Sequence, residues 1–535
     1  MTAPRTLLQM VRDGAAKSDV QRLIFVHVDA AGRIVDDRRS HAELLDAGSR
    51  IAAAMRKEGM AAGDRFAIIL RNHPEFVEAM VGSEIAGTVF VPIDPRMRGE
   101  KLAYMLRFSG ARGAIVSADV LPQVEVLLPG LPDLGWIWVI DAPEGDARAL
   151  HAVLASVEPV ADLVPQPIDA PMQLLFTSGT TGDPKAIQSP YARFSGVADL
   201  GPVIGLREGD VIYTGLSLTH ANAQLISLGN AIAHDLGIVI SRQFTKSRLW
   251  EILTRYGCTT FNLLGGMATA IFSEPPGPFD RAHKVRFVLS AGMPAAMWRE
   301  FADRFGVEIF EFFGAAEGGL TLNPPGVGPI GSIGKAPPGS ACEILGEDGA
   351  ILPPGRQGEI CFRNEDGSVT PVSYLSNPEA STAKTRGGWF HTGDIGYKDA
   401  DGWVFFCHRD GQSIRRNGDF IDPRPIETVL SEMEGVSDVY VYGAATRQNT
   451  PGEKEVIAAI VPEGEIDAAS LIARCAGQLG SASAPSIVQI VDEIPKTASE
   501  KPQDRYLIAM LGAPDARLFD RRGPTRIDLK ERSSL

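Results

Sequence analysis

The strongest constraint on this chain is a rhythm of short apolar runs alternating with helical stretches. Arg65–Leu70 (RFAIIL) reads as a strand, Pro74–Ala86 as a helix with proline in its first turn, and Val89–Ile93 as a strand. Gly99–Phe108 follows as a helix, then Gly113–Ser117 and Trp136–Ile140 as strands, with Val285–Leu289 and Val307–Phe312 as later strands. Such alternation predicts an α/β fold with largely parallel sheets. At 535 residues the chain exceeds one core, and about 150 residues per domain gives roughly three or four lobes. From about Gly331 the texture changes: glycine, proline and charged turns separate short strands at Gly358–Arg363 and Val404–Cys407, as in a β-rich lobe. After Arg409 a small α+β unit begins, with helices at Ile426–Glu434 and Asp467–Leu479 and strands at Val439–Tyr442 and Val456–Val461. The expected organisation is a large N-terminal domain of layered α/β lobes plus a β-rich lobe (1–408), a small α+β C-terminal domain (409–510) and a charged tail (511–535).

Composition removes several functions. A net charge of −14 argues against a nucleic-acid binder, which carries a basic domain or stripe. It leaves ATP and coenzyme A open, because local basic groups bind anions on an acidic protein. The five cysteines are odd in number, widely spaced and without a CxxC, which fits a reducing compartment and argues against zinc. No apolar run is long enough for a membrane span, and MTAPRTLLQMVRDGAAKSD lacks the apolar core of a secretion signal, so a cytoplasmic location is expected.

One segment carries chemistry on its face: LFTSGTTGDPK, Leu175–Lys185, preceded by apolar residues. It is not a Walker loop, since Gly179 and Gly182 stand too close and no hydroxyl follows Lys185. The ingredients are nonetheless those of a phosphate cradle. Gly179 and Gly182 free backbone N–H groups to approach an anion, Thr177, Ser178, Thr180 and Thr181 offer hydroxyls, and Lys185 offers a mobile charge.

TSGTTGDPK resembles the signature of the adenylate-forming ligases, the superfamily of acyl- and aryl-CoA synthetases, peptide-synthetase adenylation domains and luciferases. Further motifs follow in the family's order: AGTVFVPIDP (86–95), SAGMP (290–294), FFGAAEGG (312–319), GWFHTGDIG (388–396), HRDGQSIRRNGDFIDP (408–423) and IPKTASEK (494–501). The likeness spans roughly residues 20 to 510. It implies an ATP-dependent carboxylic acid–CoA ligase working through an acyl-adenylate, with ATP, Mg²⁺ and coenzyme A as cofactors and co-substrates, a small carboxylic acid as substrate, a C-terminal domain that moves between the two half-reactions, and a homodimer as an allowed assembly.

The resemblance also assigns roles. Thr177–Lys185 embraces the β- and γ-phosphates, and Glu317 with Thr177 holds Mg²⁺. Ser290, Ala291 and Gly292 line one face of adenine, while Phe312, Phe313, Gly314, Ala315 and Ala316 form the segment whose Phe313 ring stacks on the base. Asp394 takes the ribose hydroxyls beside Arg409. Lys501 is the lysine of adenylation, with Lys496 the alternative earlier in the motif. Gly418 lets the pantetheine thiol approach, and Arg415 and Arg416 are either exposed or face coenzyme A phosphates. His220, in LSLTHANAQ, belongs to the acid channel. The chain departs from the pattern at Ala316, where the family commonly has Thr, at Gly411 in the hinge, and at Glu500 and Pro502 around the lysine.

The acid itself is constrained less. The segment Thr219–Asn222 has no acidic residue to hold an α-ammonium, so amino acids are not expected. The lining expected from NLLGGM (262–267), Ala291–Met293, Phe313–Ala315 and Gly318–Leu320 is apolar with several glycines, which suggests room for a bulky group, and NLLGGM bears a likeness to the carnitine/crotonobetaine-CoA ligase branch. Two alternatives stay open from sequence: a carrier protein or other acceptor in place of coenzyme A, and a nucleotide-binding protein with degraded catalysis.

Overall fold

A computed structural model describes residues 3–177, 185–409, 414–416, 419–421, 423–445, 454–480, 484–497, 502–513 and 515–521. The chain forms two compact units: Met1–Cys342 with Phe362–His391, and Glu343–Cys361 with Thr392–Leu535.

The first unit is built on two sheets with parallel interiors and antiparallel edges. The six-stranded sheet runs Trp136–Val139, Ala111–Val116, Arg65–Ile69, Val89–Pro92, Pro171–Thr177, Lys185–Pro190, antiparallel only at its last pair. The eight-stranded sheet runs Leu320–Asn323, Glu308–Gly314, Phe287–Ala291, Thr260–Leu264, Val211–Thr214, Gly237–Ser241, Leu23–Val28, Ile34–Arg39, antiparallel at both ends. Helix Pro74–Ala86 shows how sequence sets an element here. Proline opens it, Gly87 closes it at a φ of 76°, and the residues between are buried almost throughout. A helix buried on all sides lies inside a core rather than on its surface, and here it takes Glu78 and Glu84 in with its apolar residues. It packs on helix His41–Lys57 through paired glycines: a Cβ on Gly48 would lie 3.1 Å from the Gly82 nitrogen, and one on Gly82 would lie 3.0 Å from the Gly48 oxygen. Alanine at either position would push the helices apart.

In the second unit, Phe390–Lys398 and Val404–Arg409 pair antiparallel from Asp394 to Arg409. A separate four-stranded sheet runs Val436–Ala444, Glu455–Pro462, Ile487–Ile490, Arg517–Asp520, flanked by helices Pro423–Ser431, Ala468–Leu479 and Asp504–Leu511. Its last strand falls in the segment expected to be a charged tail. Leu518 supplies apolar contact between the charges while Phe519 is exposed, and the strand pairs antiparallel with Ile487–Ile490. All five cysteines are buried; burial raises the Cys258 thiol and pushes Cys475 up to about 11, so neither of these two is a ready thiolate. Among the described residues no helix is long and apolar enough to cross a membrane.

Candidate active site

The phosphate segment hangs from an antiparallel strand pair. Thr177 ends one strand directly opposite Lys185, which begins the next. Ser178, Gly179, Thr180, Thr181 and Gly182, and the Thr177 side chain, lie outside the described residues. Residues 373–375 zip onto the second strand: Gln188 N donates to Ser373 O at 2.9 Å and Leu375 N to Ala186 O at 2.8 Å. This docks Tyr374 beside Ile187. The Lys185 Nζ lies 5.5 Å from the Tyr374 ring centroid, within cation–π range. The Tyr374 hydroxyl donates to Glu317 Oε1 at 2.8 Å. One tyrosine therefore connects Lys185, expected at the phosphates, to Glu317, the carboxylate expected at the metal.

Glu317 stands in a tight turn closed by reciprocal bonds between Ala315 and Gly318, at 3.1 and 3.2 Å. Arg193, on helix Tyr191–Ala198, braces this turn by donating from Nη2 to Ala315 O at 2.9 Å. Burial lowers the Arg193 pKa, and the nearby Glu317 carboxylate opposes that shift. A hard carboxylate oxygen, braced by a phenol and joined by phosphate oxygens of the substrate, is a donor set that suits Mg²⁺. Neither Tyr374 nor Arg193 stood out in the sequence. Their partners are distant along the chain, and no spacing rule links them.

The segment expected to line adenine rests on a buried acid. Ser290 and Ala291 end the strand Phe287–Ala291, and Gly292 follows at a φ of 102°. Ser290 pairs in register with Glu311 on the adjacent parallel strand. The Glu311 carboxyl accepts from the backbone N–H of Gly292 and, at 3.2 Å, of Met293, so it shapes this loop. Burial pushes Glu311 up to about 8, against a model-compound value of 4.5. The stability due to its protonated form is complete below the lower value and is lost as pH rises through the upper one. Glu311→Gln keeps an uncharged acceptor, so its melting temperature should gain on the wild type as pH rises from about 5 to about 8. Parallel thermal melts across that window check this, and a constant difference would refute it. Strand alternation separates the next two residues: Phe312 is 8% exposed and part of the core, whereas the Phe313 ring is half-buried and lies nearly parallel to Phe362 at 6.2 Å. Gly314 is exposed, and Ala315 and Ala316 are half-buried beyond it.

The His220 loop, expected to border the acid, is pinned by amides. Asn72, buried, donates to Leu216 O and Ser241 O and accepts from Leu218 N, each at 2.8 Å. The half-buried His220 donates its backbone N–H to Ser217 O at 3.0 Å, and Gln224 N bonds His220 O at 3.1 Å. The chain then enters a π-helical stretch, Asn222–Gly229, a form often found at functional sites. Gln173 clasps Gln224 from the six-stranded sheet, and Asn262 clasps Asn222 from the eight-stranded sheet at 2.7 Å. The glycines expected to leave room do something else at Gly265. A Cβ there would sit 2.4 Å from Gly292 O, so the glycine serves close backbone packing.

The second unit holds Asp394 and Arg409, the pair expected at the ribose. Asp394 is 5% exposed and accepts from Arg409 Nε at 2.9 Å, directly across the strand ladder. Thr392 fixes the approach: its hydroxyl donates to Ile360 O at 2.7 Å and accepts from Asp394 N at 2.9 Å. Arg409 thus occupies one Asp394 oxygen. Removing the carboxylate charge by Asp394→Asn would weaken charge-assisted bonds worth about 1.5–3 kcal/mol each. The KM for ATP should rise by about tenfold or more, which steady-state pyrophosphate release would measure. An unchanged KM would count against the ribose role.

Gly418, Lys501, Glu500 and Gly411 lie outside the described residues. Lys496, the alternative lysine, is engaged in a 2.5 Å ion pair with Asp438 and pairs as a bridge with Pro502. Arg416 donates to Ala484 O at 3.0 Å.

The chain matches the AMP-binding enzyme family over residues 16–371 and the AMP-binding enzyme C-terminal domain over 425–501. It belongs to the AMP-binding enzyme family. Among its relatives is the sulfoacetate–CoA ligase of Cupriavidus necator, 29% identical over 483 residues that cover 86% of this chain and 90% of that protein. The crotonobetaine/carnitine–CoA ligase of Salmonella typhimurium is 28% identical over 475 residues, covering 86% and 91%. In structure the chain is similar to the anthranilate CoA ligase AuaEII, crystallised in complex with anthranoyl-AMP, at a TM-score of 0.83 and 22% identity over 95% of this chain and 98% of that one. The fold is that of the adenylate-forming ligases.

Proposed function

We propose that this protein is an ATP-dependent carboxylic acid–CoA ligase. In the first half-reaction a carboxylate oxygen attacks the α-phosphorus of ATP, and the bond to pyrophosphate breaks. In the second, the coenzyme A sulfur attacks the acyl carbon, AMP departs, and the thiol proton is released. The observation that carries this reading is the Lys185–Tyr374–Glu317 chain, which joins a phosphate-side cation to a metal-type carboxylate within one unit.

Positioning and charge stabilisation dominate such transfers. Lys185 and the hydroxyls of Thr177–Thr181 hold the β- and γ-phosphates. Glu317, with Thr177, holds Mg²⁺, which when bound offsets phosphate charge. The loop Ser290–Gly292 and the Phe313 ring enclose adenine, Asp394 and Arg409 take the ribose, and His220 borders the acid. Lys501 bridges carboxylate and α-phosphate, and Gly418, in a mobile C-terminal domain from about residue 409, admits the thiol. A cytoplasmic location completes the proposal, with a homodimer as an allowed assembly that sedimentation would read.

The test is a panel of carboxylic acids with Mg²⁺-ATP, following pyrophosphate release and acyl-CoA mass with and without coenzyme A. The expected result is pyrophosphate and a thioester from at least one acid. Acyl-AMP without a thioester would move the second step to another acceptor, and ATP binding without pyrophosphate from any acid would overturn the catalytic reading.

A further inference from the structure

The segment that leads into His220 is held from both sides by side-chain amides. Leu218 gives its backbone N–H to Asn72 Oδ1 at 2.8 Å, and its carbonyl accepts from Gln224 Nε2 at 3.3 Å. Gln224 also donates its backbone N–H to His220 O at 3.1 Å, so one residue grips the carbonyls of Leu218 and His220 together. Only an NH₂ can bond a carbonyl oxygen, so the Gln224 amide has a single orientation, with Oε1 turned to Gln173. Gln173 fills that acceptor from its Nε2. Gln173 lies on Pro171–Thr177, the strand that leads into the phosphate segment, and Gln224 stands early in the π-helical stretch after His220. Gln173, Gln224 and Leu218 are all fully buried, so water does not compete for these bonds.

Stability alone does not account for the pair. Gln173 commits a buried amide to one bond, since its Oε1 meets no partner among the described residues. Replacing both members of such a pair by apolar groups of the same shape is nearly neutral or stabilising. What the amides supply, and apolar side chains lack, is direction. Asn72 holds the loop upstream, at Leu216 and Leu218, whereas Gln224 extends the bonding to His220 itself. A shift of about 1 Å caused by a remote substitution can cost an enzyme as much as a hundredfold, so the backbone that carries His220 is worth fixing.

We propose that Gln224 is a positioning residue for acid activation: anchored by Gln173, it fixes the backbone of Leu218–His220 and thereby sets where His220 meets the acid. This rests on the ligase reading, in which His220 borders the acid. Gln224 acts through His220 and has no part in holding ATP.

The test uses Gln224→Met, Gln173→Met and the variant carrying both, each with and without His220→Ala. Thermal melts, pyrophosphate release and acyl-CoA formation are measured with benzoate and straight-chain fatty acids. Gln224→Met should lower kcat/KM for the acid by about tenfold and leave KM for ATP within about twofold of wild type. Gln173→Met, which leaves Gln224 unanchored, should move the same constant the same way by less. The variant carrying both replaces the pair by apolar groups and serves if a single one does not fold. In the His220→Ala background Gln224→Met should lose most of its effect, because a residue that acts through His220 then has nothing to place. Acid and ATP constants worsening together, an undiminished effect without His220, or an unmoved acid constant in a folded variant would each overturn the inference and leave the ligase standing. No thioester from any acid with the wild type would overturn both.

Discussion

Glu317→Gln should lower the rate of adenylation by about a hundredfold or more while leaving the protein folded. The substitution keeps the shape and an acceptor for the Tyr374 hydroxyl, whose bond to Glu317 is 2.8 Å. What it removes is charge. The metal-type oxygen becomes a neutral amide, a poorer ligand for a hard divalent cation. Arg193, which burial already disfavours as a cation, loses the carboxylate that opposes that effect. Apparent Mg²⁺ affinity, read from the metal dependence of pyrophosphate release, should weaken along with kcat. Tyr374→Phe separates bracing from charge: it removes one hydrogen bond and keeps the carboxylate, so its loss should be nearer tenfold. Equal losses from the two substitutions would mean that Glu317 acts through its place in the turn rather than through its charge. Full activity in Glu317→Gln would remove it from the site.

The fold was legible wherever local chemistry and burial agree. Helix Pro74–Ala86 falls where its proline and the glycine after it place it. The strand Glu308–Gly314 and the motif it carries likewise sit together. The small strand Arg517–Asp520 was hidden because its charged ends outweigh Leu518 and Phe519 in any composition reading, and only the partner strand selects it. At the candidate site, the motif residues were named from their order along the chain, which resembles a known pattern. Their supports were not. Tyr374 reaches Glu317 across a separation of 57 residues, and Arg193 reaches Ala315 across 122. Glu311 lies unremarked inside the predicted strand Val307–Phe312, whereas in the fold it is a buried carboxyl holding the loop at Gly292. Gly265 reads as spare room until Gly292 is seen against it. In each case the sequence names the residue, but only the packing names what it touches.

Lys501→Ala should divide the two half-reactions. Adenylation brings a carboxylate against a phosphate, and an ammonium between them offsets charge as the anions meet, so its removal is expected to slow pyrophosphate release by about 10²–10³-fold. The thiol step starts from an acyl-adenylate already made. If the C-terminal domain moves between the steps, as the family resemblance implies, Lys501 is remote from the second one. Acyl-AMP supplied directly should then be converted to acyl-CoA at close to the wild-type rate. The described neighbours favour Lys501 over the other lysine of the segment. Lys496 is engaged with Asp438 at 2.5 Å, so Lys496→Ala should chiefly cost local stability, and little for a partly exposed pair. Loss of both half-reactions in Lys501→Ala would mean that the lysine shapes a site common to the two steps, and loss from Lys496→Ala alone would transfer the adenylation role to Lys496.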